Sequence, residues 1–229
     1  MVRRVGADAW SQLLPTLEES FLSSDSDAKQ GICIAVRELV ESTSTENVLK
    51  YQDRFVAIIR DALVDANESV RESAAQAFDV LQDAIGDSAV DEVIPQLLEM
   101  LDSDSSDDAL SALQEIMATK SDIIFPILIP SLLTPPIKAR ALSALAQVAG
   151  PALFKRLSTI INSLTDSIIA EDGVRSELLQ ALTSVLLSVD SDDGCHPLLQ
   201  QILTLMRHED SKRVAVIYEV LPQFFSATF

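Results

Sequence analysis

Few residues of this 229-residue chain have the types and spacing that chemistry requires. Cys195 and His196 stand side by side, and His208 is the other of only two histidines. Thiolate and imidazole are zinc ligands, but a zinc site needs four donors converging on one point. Adjacent residues at a helix start point in different directions, and no second ligand pair lies nearby. Aspartates gather at Asp102, Asp104, Asp107 and Asp108, and again in DSDDG at Asp190–Gly194. A calcium loop of that type also needs a central glycine and a closing bidentate glutamate, a combination that neither run supplies. Both runs read as solvated turns. No glycine-rich phosphate loop, C-x-x-C pair or H-E-x-x-H is present. The expectation is a protein with no catalytic set, no cofactor and no metal. Lyase or glycosylase chemistry would need a basic cleft or convergent catalytic groups, and neither is visible.

The elements around these residues repeat. About every 35–40 residues an amphipathic helix ends in a short polar turn and a second amphipathic helix follows. FVAIIRDALVDANESVRESAAQAFDVLQDAIG, from Phe55 to Gly86, is the clearest copy, and Asp91–Ile116 and His196–Leu221 are others. In its second helix Val70, Ala74, Ala77, Phe78 and Leu81 fall on one stripe that faces a core. Asp65 and Asn67 are placed to accept free amides at the start of that helix. A period of this length with two helices per copy predicts an all-α fold: a right-handed α-solenoid of about six HEAT repeats built from antiparallel helix pairs. The chain then forms a single array with repeats at residues 9–42, 46–85, 88–118, 122–149, 151–189 and 195–225. Residues 2–6 read as the tail of a preceding repeat, as if the chain were cut from a longer array. Pro15, Pro95 and Pro130 recur inside first helices, where each removes a backbone hydrogen bond and bends the helix.

Solenoids act by presenting surfaces to other macromolecules. The formal charge of −18 disfavours nucleic-acid backbone and anionic membrane, and it is compatible with basic protein partners or with solubility alone. Cations are scarce, so their placement matters. Lys29, Arg37, Arg140, Arg175, Lys212 and Arg213 recur near the same point of successive second helices. Either they form a thin basic ridge that contacts a partner, or they pair with neighbouring turn aspartates. Asp65 and Arg71, in the pattern D-x-x-x-x-V-R, are expected to form a structural ladder between turns.

Cys33 and Cys195 are far apart and are expected to be reduced, buried or half-buried thiols in a cytosolic protein. The most apolar stretch, Ile123–Leu133, holds two prolines, is too short to span a bilayer and reads as a buried helix.

Several strings resemble one large HEAT-repeat family. They are AKQGICIAVRELVES (Ala28–Ser42), RDALVDANESVRESAAQAFDVLQ (Arg60–Gln82), AVDEVIPQLLEML (Ala89–Leu101), LIPSLLTPPI (Leu128–Ile137) and ARALSALAQVAGPAL (Ala139–Leu153). The family is the general control nonderepressible translational activator, the ribosome-associated activator of the initiation-factor-2-alpha kinase. The resemblance implies a cytoplasmic, non-catalytic scaffold in amino-acid starvation signalling, and an internal fragment towards the C-terminal part of such a protein. It also implies the RWD domain of the kinase as a partner at or near this region. The ribosome and an ABC-type ATPase co-activator would be reached through other parts of the full-length protein. The alternative is a HEAT adaptor of another pathway, such as a nuclear transport receptor or a phosphatase scaffold. The connections at Pro136–Arg140 and Ala170–Arg175 look shorter than the family pattern.

Overall fold

Short polar turns start the helices, as their side chains dictate. Asp25 accepts the Ala28 N–H at 3.0 Å and caps the helix that follows. Asn67 does the same for Ser69 N at 2.9 Å, and Asp65 accepts the Asn67 N–H at 2.9 Å just before it. Gly86 (φ 68°) and Gly150 (φ 51°) each end one helix and begin the next, in a backbone region that favours glycine.

The structure is a computed structural model, in which residues 7–23, 25–170 and 172–228 are described. Residues 2–6 lie outside the described residues, as do Ser24 and Glu171. The described residues are all-α, of the helix-pair solenoid class, without a strand. The chain divides after Lys120 into two compact units.

The first unit holds α1 (Ala7–Ser23), α2 (Ser26–Ser42), α3 (Thr45–Lys50), α4 (Gln52–Leu63), α5 (Glu68–Ile85), α6 (Asp87–Met100) and the start of α7 (Ser106–Leu133). Neighbours in sequence pack as pairs, and α2 lies against α5 one repeat later. Trp10, Leu14, Phe55, Ile59, Phe78, Leu81, Ile94 and Leu97 fill the core. The Trp10 and Phe55 rings meet edge to face, 6.0 Å between centroids. The second unit continues with α8 (Ala139–Ala149), α9 (Pro151–Phe154), α10 (Leu157–Ala170), a 3-10 turn (Asp172–Val174), α11 (Arg175–Leu187), α12 (Asp192–Met206) and α13 (Ser211–Thr228). There α8 packs on α11, and α11 on α13.

Several expectations need correction. The helix expected to open near Glu46 is broken at Tyr51 (φ −118°, ψ 16°) into α3 and α4. The stretch from Pro151 is broken likewise into α9 and α10. Between the repeats placed at 88–118 and 122–149 there is no separate loop, but α7 is broken there at Lys120 (φ −137°, ψ 48°), where two helices meet at a kink. By length and composition alone α7 could cross a membrane, but that interruption splits it. Ile123–Leu133 is not fully buried. Ile124, Phe125, Leu128, Ile129 and Leu132 face the core, while Ile123 and Ile127 are exposed. The prolines Pro15, Pro95 and Pro130 do stand inside helices, but so does Pro222 in the second helix of its pair.

Candidate partner-binding surface

Side-chain bonds between successive helix pairs repeat with the period of the sequence. Arg54 donates to Glu18 at 2.8 Å, Ser88 to Gln52 at 3.4 Å and Arg60 to Gln96 at 3.3 Å, each pair 36 residues apart. In the second unit Gln201 donates to Asn162 at 3.0 Å, 39 residues away. Each pair of residues occupies matching places in adjacent repeats, so one period of sequence separates the partners.

The cations singled out in the sequence lie on this framework. The Lys29 ammonium donates to the Asp65 carboxylate at 2.7 Å and sits 5.2 Å from the centre of the Phe21 ring. Arg37 donates to Gln76 on the neighbouring α5 at 2.8 Å and pairs with Glu38 at 3.2 Å. Arg175 donates to the Ile168 carbonyl at 3.2 Å and to Glu219 at 2.6 Å, and Arg213 pairs with Asp166. Exposed Lys212 takes part through its backbone, whose N–H donates to Asp210 at 2.9 Å. Arg140, also exposed, edges a shallow groove of about 450 Å³ between α8 and α11. Ser143, Ala144, Gln147, Glu177 and Gln180 line the rest of it. Lys29 and Arg37 belong to the first unit and the other four to the second.

Asp65 and Arg71 meet through the main chain. Arg71 donates to the carbonyls of Asp65 at 2.9 Å and Ala66 at 3.1 Å, which locks the turn before α5, while its buried Nε finds no partner. The tie from Asp65 to another helix pair runs through its carboxylate to Lys29. Burial opposes the charge on Asp65. The Lys29 hydrogen bond, the Asn67 amide and the charges of Lys29 and Arg71 outweigh it and hold the carboxyl below its usual value.

Sequence reasoning passed over Lys120. Its ammonium reaches Asp79 at 3.0 Å, Gln82 at 3.1 Å and Asp83 on α5, at the residue where α7 breaks. The hydrogen bond it donates to Asp83 does most to raise its pKa, partly opposed by burial. The 37- and 38-residue separations from Asp83 and Gln82 match the repeat period, and that was the one available signal.

The two cysteines differ. Cys33 is buried, and burial first, then the Asp65 charge, pushes its thiol up to about 12. Cys195, expected to be buried or half-buried, is exposed on the first turn of α12. Among the described residues no group of three or more His, Cys, Asp and Glu side chains is arranged to hold a metal ion.

Residues 124–229 match the family described as "Stalled ribosome sensor GCN1-like, HEAT repeats". The whole chain aligns at 56% identity with the eIF-2-alpha kinase activator GCN1 of Saccharomyces cerevisiae. The chain is homologous to a segment of GCN1. Identity to the stalled ribosome sensors GCN1 of Mus musculus and Homo sapiens is 37% in each case, over 90% of this chain. The segment is a small one, since the chain spans 9% of the yeast GCN1 and 8% of the mouse and human proteins.

Proposed function

We propose that the chain is a non-catalytic scaffold segment of a cytoplasmic, GCN1-type translational regulator, and that it helps to activate the eIF-2-alpha kinase by binding the kinase RWD domain. The observation that carries this reading is the 56% identity, over the full chain, to a protein named as activator of that kinase. The architecture supports it. Within each unit, paired helices tied to their neighbours by buried side chains and periodic hydrogen bonds present a packed surface. Ribosome and ATPase contacts belong to other parts of the full-length protein in this reading.

Within the segment, Lys29, Arg37, Arg140, Arg175, Lys212 and Arg213 are the proposed partner contacts. Arg140 and Lys212 are the most accessible of these. A pull-down with the kinase RWD domain tests the reading, using both this chain and a longer stretch of the full-length protein that contains it. Capture by the longer stretch, weakened by Arg140→Glu and Lys212→Glu at unchanged thermal stability, supports the proposal. No capture by the longer stretch overturns it.

A further inference from the structure

The second helices of the first unit carry an exposed face that the basic residues do not explain. Two hydrogen bonds, Lys29 to Asp65 and Arg37 to Gln76, run α2 alongside α5 in the same direction. Gly31 and Ile34 are exposed on α2, and Glu68 and Glu72 are exposed on α5, the helix packed against it. The cations of this face are already engaged: Lys29 with Asp65, Arg37 with Glu38 and Gln76, and Arg71 with two backbone carbonyls. Among the described residues the Glu68 and Glu72 side chains make neither an ion pair nor a hydrogen bond, and Glu115 has only the through-space charge of Arg71 to offset its own.

Gly31 adds a separate observation. It lies inside α2, where glycine is unfavourable by roughly 0.5–1 kcal/mol relative to alanine. Neither of the usual internal reasons applies: it is exposed, and a side chain there would meet no atom within 4 Å. Next to it Ile34 is 41% exposed, an apolar contact facing solvent. A notch without a side chain, an apolar knob and a row of free carboxylates fit an approaching main chain with long cationic side chains. The charge also tells against nucleic acid as the occupant.

We propose that the α2–α5 face around Gly31, Ile34, Glu68 and Glu72, extended by Glu115 of α7, docks an extended Lys/Arg-rich segment of a partner protein. The partner backbone lies over Gly31, its aliphatic stems cover Ile34, and its cations reach the glutamates. Glu115 supports this. Burial raises its carboxyl pKa, Arg71 pulls it back, and Glu72 and Glu68 push it up again, a repulsion that a bound cation would relieve.

The test is fluorescence anisotropy of a short labelled Lys/Arg peptide titrated with the full chain at low and physiological salt. The proposal expects salt-sensitive binding that weakens about tenfold or more in Gly31→Gln and in the double variant E68Q/E72Q. Gly31→Gln should leave the thermal midpoint unchanged or higher, because glutamine is the better helix former. Glu209→Gln in the second unit should bind as the unsubstituted chain does. The proposal is overturned if the unsubstituted chain does not bind. Equal binding by all the chains overturns it too, since the net charge would then be the cause. So does equal weakening by Glu209→Gln.

Discussion

The Lys29 ammonium and the Asp65 carboxylate lie 2.7 Å apart, 36 residues from one another in sequence, with only 25% and 10% of their side chains exposed. A half-buried pair of this kind differs from a surface ion pair, because removing one partner strands the other in a poorly solvated place. Lys29→Met is expected to lower the unfolding free energy by about 1–2 kcal/mol, read by urea denaturation. Asp65→Asn should cost a similar amount. The double variant should cost less than the sum, because the two residues share one interaction.

The same pair fixes an acid dependence. Asp65 has its folded pKa below its unfolded one, so its contribution is complete above the ordinary carboxylate range, near pH ~4. It is lost as the pH falls through the lower folded value. Stability of the unsubstituted chain should therefore decline more steeply below pH ~4 than that of Asp65→Asn. Parallel profiles would show that the pair carries no linkage.

Lys120 combines an irregular backbone with a three-oxygen grip on α5. Lys120→Met should loosen that grip and leave Asp79 and Asp83 facing one another without a cation. The expected loss is about 1–3 kcal/mol, with amide hydrogen exchange speeding first in residues 79–83 and around 120. Arginine at 120 should restore part of the loss.

Thiol labelling separates the cysteines. With iodoacetamide near neutral pH, the folded chain should take up one label, at Cys195, while Cys33 reacts only after unfolding. The Cys33 thiol moves from its ordinary 9.0 to about 12 on folding, so the neutral form is favoured in the fold. Its contribution to stability is whole below pH 9 and fades as pH rises towards 12.

Gly194 is a steric requirement of the second unit. A Cβ there would lie 2.6 Å from a Phe154 ring carbon and 2.7 Å from a Val189 methyl. Gly194→Ala is expected to destabilise by about 1–3 kcal/mol, visible as a lower thermal midpoint, whereas Gly31→Ala should not.

Much of the fold was legible in the residues. Asp25, Asn67, Gly86 and Gly150 mark helix ends by their own chemistry, and the apolar stripe of α5 is buried as its spacing requires. The break at Tyr51 was not legible, and the one at Lys120 showed only as the boundary between the repeats at 88–118 and 122–149. Neither residue is a glycine or proline, and Ala118–Ser121 holds nothing that ends a helix, so the interruption answers to packing rather than to local propensity. The surface was less legible still. The spacing of Lys29, Arg37, Arg175 and Arg213 placed them on second helices. What each one touches depends on helix rotation and on a residue one repeat away. The docking face around Gly31 escaped for the same reason, since exposure of a helical glycine is set by its neighbours.

The hydrogen bonds that tie one helix pair to the next have a reach of only 36 to 44 residues. At about 5–20 residues per second, a translating ribosome supplies both partners of any such bond within roughly ten seconds of each other. Each pair can therefore lock onto its predecessor while synthesis continues, without waiting for distant sequence, and its apolar stripe is bare only for the interval in which the next pair emerges.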